Sequence, residues 1–312
     1  MRMRTLAPIA ACLTSILALT ACGSSADADG GSEPETLVFA SIPSEDSTSL
    51  EQQFANVIEV VEQETGKKVE IQNATDYATV IEGMRAGKIQ IAAFGPFSYV
   101  TAKDTGVAVE PIASTVDSPD EEPGYRSYAV VPAGSGITDL AGFKGKNVCF
   151  VDPTSTSGYL YPSAGLLEAG VDPQVDVTAV MAGGHDASAL AIAGGQCDAG
   201  FAFDAIIDSV LIKSGQLQEG QLTTVWESEI IPGSPVAIST DTLDEDTQEQ
   251  IRTAFIEKIN VDALVESGIC TAAASCTLPE EAEYGYVAVD DALYDGVRKV
   301  CETTQAEACQ ES

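Results

Sequence analysis

Histidine is nearly absent from this 312-residue chain: His185 stands alone. A single imidazole excludes two-histidine metal sites and most metal-dependent hydrolytic centres. No Cys-x-x-Cys pair occurs, which removes the commonest thiolate metal and redox motifs. Gly-x-Ser-x-Gly, Walker A and Gly-x-Gly-x-x-Gly are all missing, so serine-hydrolase and nucleotide readings lose their usual markers. Positive charge is scarce too, with 15 Lys and Arg against 48 Asp and Glu, a formal −33. Such a chain is no partner for nucleic acid, and its own charge would not hold it to an anionic membrane. No tandem repeat is present, and no cofactor is implied.

What is present is globular. Apolar residues make up 45% and charged residues 20%, in a chain long enough for one large or two medium domains. The N-terminus differs: MRMR carries two arginines, LAPIAACLTSILAL (6–19) is apolar, and Leu19-Thr20-Ala21-Cys22 follows. A basic start, a short apolar run and small residues describe a secretory signal over 1–21, too short to span a bilayer as a helix. The final cysteine is similar to that of the bacterial lipobox, which makes Cys22 the lipidated first mature residue. The stretch after it, GSSADADGGSEPET, is small, acidic and turn-rich, a flexible tether over 22–35. The expected location is therefore the outer face of the cytoplasmic membrane, held by lipid alone.

Six cysteines remain in the exported part: Cys149, Cys197, Cys270, Cys276, Cys301 and Cys309. An even set behind an export signal implies disulfides, and six cysteines allow 15 pairings. Cys149–Cys197 between two expected neighbouring strands, with local bridges Cys270–Cys276 and Cys301–Cys309, is the preferred set.

From Leu37 the chain alternates strands and helices. LVFASI, KVEIQNA, IQIAAFG and VAVEPIAS read as strands, separated by helices that end at Gly66, open on an Asp76 cap, or carry Pro96 at their first position. Single helices between strands predict open parallel sheets. After the polar loop VDSPDEEPG (116–124) the alternation restarts at SYAVVPA. Two α/β lobes follow from this pattern, with the chain crossing near 125–130 and 228–236: lobe I over 36–125 plus 233–312, lobe II over 126–232. Mostly helical sequence is expected beyond Asp241.

Ligands of open α/β sheets sit at the carboxyl ends of strands. Three polar turns fall there: Asp76-Tyr77, DPTSTSGYLYP (152–162) and Gly184-His185-Asp186. Ser155, Thr156 and Ser157 exceed what one helix cap needs. Hydroxyls beside free N–H groups at a helix start converge on an anion without a cation. Among the basic residues only Arg126 falls near a candidate site position. Asp204, at a strand end, opposes a fully ionised anion and favours one that carries a proton.

In their order, FASIPSED, ATDYATVIEGMRAGKIQIAAFGPFSY, GYRSYAVV, DPTSTSGYLYP and GGHDASALAIAGGQCDAGF resemble the substrate-binding proteins of phosphate/phosphite/phosphonate ABC importers. The resemblance runs over about 37–260. It implies a type II periplasmic-binding-protein fold with two crossover hinge strands and a ligand cleft between the lobes. It implies Tyr77, Tyr125, Ser155, Thr156, Ser157 and His185 as ligand contacts, Asp204 as an acidic contact and Tyr99 as a cleft wall. A second acidic contact has no match around Ile231-Pro232-Gly233-Ser234. The expected protein is a monomer that binds a small phosphorus oxyanion, passes it to ABC permease subunits and does no chemistry. A binder of another oxyanion such as a sulfonate is the first alternative. A secreted hydrolase using the Ser155–Ser157 turn with His185 as base is the second. The anchor reading has its own test: Cys22→Ala should release the protein to the medium or block its processing, as fractionation would report. A processed, membrane-bound variant would overturn the assignment.

Overall fold

The structure, a computed structural model, describes residues 34–44 and 47–309. The expected signal, the Cys22 anchor and nearly all of the tether lie outside the described residues. Two sheets carry the fold. The first contains β1 (Thr36–Ser41), β2 (Lys68–Asn73), β3 (Ile91–Ala93) and β4 (Val109–Val116), joined by β12 (Pro235–Ser239) and β13 (Gly285–Ala288) in the order β13-β4-β12-β3-β1-β2. The second contains β6 (Ser127–Pro132), β7 (Asn147–Phe150), β8 (Thr178–Met181), β9 (Ala199–Phe203) and β10 (Leu222–Glu227), in the order β10-β6-β9-β7-β8. Between them β5 (Gly124–Tyr125) pairs with β11 (Ile231–Pro232), so the outgoing and returning chain lie side by side.

The alternation predicts parallel sheets, and the structure corrects this in part. β1, β2 and β3 are parallel, as are β7, β8 and β9. However, β12 runs antiparallel to both β3 and β4, and β6 antiparallel to β9. A chain returning from the other sheet enters from the opposite end, so its first strand runs against its neighbours. β13 is a further difference, a four-residue edge strand on β4 inside the region expected to be mostly helical. Its sequence, GYVA, is too short to announce a strand by alternation.

Helices form where caps and period agree. Asp76 accepts the Thr79 N–H at 2.7 Å, Pro96 occupies a first turn, and Gly66 closes its helix at φ 67°. Phe39, Phe54, Val57, Val60 and Val61 pack beneath the first sheet, and Phe143, Phe150 and Phe201 beneath the second. Each such side chain contributes about 1.5–3 kcal/mol on burial. The last long helix, Asp295–Thr304, rests on helix Pro96–Asp104 of the first sheet and on helix Tyr161–Glu168 of the second.

The disulfides are Cys149–Cys197, Cys270–Cys276 and Cys301–Cys309, with Cα separations of 5.8, 5.4 and 5.7 Å. Cys149 lies on β7 and Cys197 just ahead of β9, and these strands pair. Loop-closure entropy ranks the bridges: the 48-residue span should contribute about 4 kcal/mol and the two short loops about 2 kcal/mol each. Replacing each pair by alanine should therefore lower the urea midpoint most for Cys149 and Cys197, with no alkylatable thiol in the unreduced wild type. Six free thiols in exported material would overturn the framework.

Candidate functional site

Four helical segments begin at the carboxyl ends of parallel strands and face one cavity of about 370 Å³: Tyr77–Arg85 after β2, Pro96–Asp104 after β3, Thr156–Leu160 after β7 and His185–Ala193 after β8. Tyr77, Gly95, Ser155, Thr156, Ser157 and His185 line it. Each helix start presents N–H groups with no intrahelical acceptor and the positive end of a dipole. Among the described residues, neither lysine nor arginine is in the lining. Arg126, the one basic residue expected near the site, directs its guanidinium to the Ser228 carbonyl instead.

Residues 156–160 form a wide π-helical turn that runs into helix Tyr161–Glu168. Gly158 is required there, because an added Cβ would fall 2.4 Å from Val151 and 2.7 Å from Ser155 Oγ. The three hydroxyl residues are buried. Ser155 Oγ accepts the Gly158 N–H at 3.1 Å. Thr156 Oγ1 accepts the Phe97 N–H at 2.8 Å, from the helix start above β3, and so bridges elements of the two sheets. The Ser157 carbonyl accepts the Ser127 hydroxyl at 2.6 Å. On Ser155 and Thr156 a backbone donor occupies an acceptor lone pair, which leaves the O–H to turn toward a ligand.

His185 follows the same rule. Its Nδ1 accepts the Phe203 N–H at 3.1 Å, which assigns the ring proton to Nε2. Nε2 lies 3.4 Å from Ser155 Oγ and can donate but not accept there. The imidazole is buried, and burial pushes its pKa down to about 3. This histidine is a neutral donor. A hydrolase triad is not formed, since the nitrogen facing Ser155 already holds the proton and backbone rather than a carboxylate orients the ring.

Tyr77 is buried with its hydroxyl unpartnered, although Ser155 is beside it. A buried polar atom without a partner is rare and marks a missing one. Tyr125 lines the cavity with its hydroxyl near Ser157 and Thr156. Burial raises both phenols, so they stay protonated and donate.

Tyr99 is not a cleft wall. It is absent from the cavity lining and is buried in the core beside the first sheet. Its ring packs 5.0 Å from that of Tyr294 and its hydroxyl donates to Asp291 at 2.7 Å.

The cavity wall also carries carboxylates. Asp204 lines it, with Oδ2 accepting the Arg126 N–H at 2.9 Å and Oδ1 the Ala205 N–H at 3.0 Å. Burial raises its carboxyl pKa against the lowering by these bonds. The acidic partner sought near residues 231–234 is absent there; Ser234 lines the cavity at that point. Glu280, from the C-terminal segment, reaches the same place. No local pattern could have pointed to it, because its position depends on long-range packing.

A family model described as "ABC transporter, phosphonate, periplasmic substrate-binding protein" matches residues 39–262. The phosphate-import protein PhnD of Mycolicibacterium smegmatis is 46% identical over 285 residues, covering 89% of this chain and 88% of that one. The phosphonates-binding periplasmic protein of Escherichia coli is 31% identical over 247 residues, covering 78% and 71%. Among solved structures, a binding protein component of an ABC phosphonate transporter from Pseudomonas aeruginosa superposes with a TM-score of 0.75 at 26% identity, covering 88% and 87%.

The histidine geometry yields a pH expectation. The folded pKa of about 3 lies below the ordinary 6.5, so the folded state binds the proton less well than the unfolded chain. Stability from this group is whole above about pH 6.5 and falls as pH drops toward 3, by about 1.4 kcal/mol per unit within that window. Proton NMR of the His185 ring should show no titration between pH 8 and 5. A midpoint near 6 would overturn the buried neutral assignment.

Proposed function

The chain belongs to the phosphonate-type substrate-binding proteins of ABC transporters, and on that premise we propose that its cleft captures a small phosphorus oxyanion: phosphate, phosphite or a phosphonate. Members of this group are extracytoplasmic transport components rather than enzymes. The ligand class spans what the two relatives are named for, phosphate import and phosphonate binding.

The observation that carries the reading is the set of four helix starts around a cavity walled by hydroxyls, a neutral imidazole and an unpartnered Tyr77 hydroxyl. Neutral donors in a desolvated cleft hold a tetrahedral oxyanion when each oxygen meets one. The −33 charge does not oppose this, since exposed charges are screened beyond about 10 Å at moderate salt. Asp204 favours a ligand with its own hydrogen-bond donor, which near-neutral phosphorus oxyanions retain and sulfate does not. Residues 36–125 with 233–312 form one lobe and 126–232 the other, and they close about the paired crossings β5 and β11. A lipid on Cys22 anchors the protein outside the cytoplasmic membrane, where it delivers ligand to the permease.

Calorimetric titration with phosphate, phosphite, methylphosphonate, aminoethylphosphonate and sulfate tests this. At least one phosphorus ligand should bind saturably and sulfate should not compete. Ser157→Ala removes one donor and should weaken the best ligand roughly 10- to 150-fold, the equivalent of about 1.5–3 kcal/mol for a hydrogen bond to a charge. Ser157 is preferred over Thr156, because Thr156→Val would also orphan the buried Phe97 N–H and disturb folding. A panel without binding, or a Ser157→Ala protein that binds like wild type, would overturn the reading.

A further inference from the structure

Glu280 reaches the cleft from a segment that begins after residue 262, where the family match ends. The Cys270–Cys276 bridge clasps the start of this segment. Asn56 Nδ2 then donates to the Thr277 carbonyl at 2.9 Å, and the Glu280 N–H donates to Gln53 Oε1 at 3.2 Å. Leu278 and Pro279 are buried, and Glu280 itself sits at φ 58°, the left-handed region that side chains other than glycine's rarely adopt. Backbone strain of this kind persists where surrounding contacts over-determine it, and it concentrates at ligand sites. Its outcome here is a carboxylate facing the cavity, open to cleft water, with Oε2 accepting the Thr115 hydroxyl at 2.7 Å and Ser234 alongside.

Glu280 and Asp204 line the same cavity from distant segments, and the Asp204 charge acts on Glu280. Partial burial raises the Asp204 carboxyl. Two carboxylates on the wall of one cavity are unfavourable together unless something in it donates hydrogen to them. The unpartnered Tyr77 hydroxyl in the same cavity independently marks a missing occupant. One ligand satisfies both sets of groups if it carries oxyanion oxygens for the hydroxyls and a hydrogen-bond donor for the carboxylates.

We propose that Glu280, presented by the disulfide-clasped segment 270–283, is a specificity-determining residue that accepts a hydrogen bond from a donor on the bound oxyanion. The donor is either a P–OH group or an N–H on the ligand's substituent. The inference rests on the oxyanion reading above and adds a residue to it.

Glu280→Gln is the direct test. Glutamine keeps the length of the side chain, and the Thr115 and Ser234 hydroxyls can rotate to meet either of its polar atoms. Affinities of wild type and variant for phosphate, methylphosphonate, aminoethylphosphonate and sulfate are compared, with melting temperature as control. The variant should lose roughly 10- to 150-fold for the preferred donor-bearing ligand and less for sulfate, so that their ratio narrows. Loss confined to aminoethylphosphonate identifies N–H as the donor, and loss shared with phosphate and methylphosphonate identifies P–OH. A residue that only anchored its segment would change stability and leave the ratio unmoved. The double variant Cys270→Ser, Cys276→Ser gives a second reading, since loosening the clasp should narrow the same ratio while the hydroxyl side keeps binding. If wild type binds a phosphorus ligand and both variants retain its preference, Glu280 has no such role. If wild type binds none of the panel, the oxyanion reading itself falls and this inference with it.

Discussion

An anion has to be taken from water into a cleft whose wall, among the described residues, contains no cation, and most of the architecture around the cavity answers that requirement. Positive potential comes instead from aligned peptide dipoles and N–H groups at helix starts. Four such starts converge because β2, β3, β7 and β8 run parallel to neighbours within their sheets and each is followed by a helix at its carboxyl end. The two sheets then have to face one another, which the paired crossings β5 and β11 bring about.

Dipoles alone would leave the hydroxyl hydrogens free to turn away. The structure controls them by occupying lone pairs. Gly158 N–H binds Ser155 Oγ, Phe97 N–H binds Thr156 Oγ1, and Phe203 N–H binds His185 Nδ1. Every one of these acceptors is engaged by backbone, so the remaining hydrogen is aimed by elimination. Burial keeps the imidazole and the two phenols neutral, which preserves them as donors across the physiological pH range. Pre-oriented donors of this kind need little rearrangement when the ligand arrives.

The acidic residues act at two scales. On the surface they are screened and serve an exported protein. Inside the cleft Asp204 is held by two backbone N–H groups, one of them at the crossing beside Tyr125, so it belongs to the hinge region as well as to the cavity. The carboxylates that line the cavity lie on separate segments, and only folding brings them to one wall.

Much of this was legible from the sequence because it is local. Caps at Asp76, Pro96 and Ser155 depend on residues within one helical turn, and strand–helix alternation depends on period, so both are written in consecutive residues. The short bridges Cys270–Cys276 and Cys301–Cys309 span loops too small for much choice, and Cys149–Cys197 follows from strands that the alternation places side by side. The hydroxyl turn, Tyr77 and His185 were visible at strand ends for the same reason. Tertiary structure decided the rest. Tyr99 turned toward Tyr294 because its helical phase is set by what its neighbours bury. β12 and β13 took antiparallel places that depend on the direction from which the chain returns. Thr156 acquired a second task, accepting an N–H from a helix 59 positions away in sequence. Glu280 entered the cleft through contacts with Gln53 and Thr115, more than 160 positions distant. Local preference fixes which conformations a short segment favours, whereas the pairing of distant segments is chosen by the packing of the whole chain.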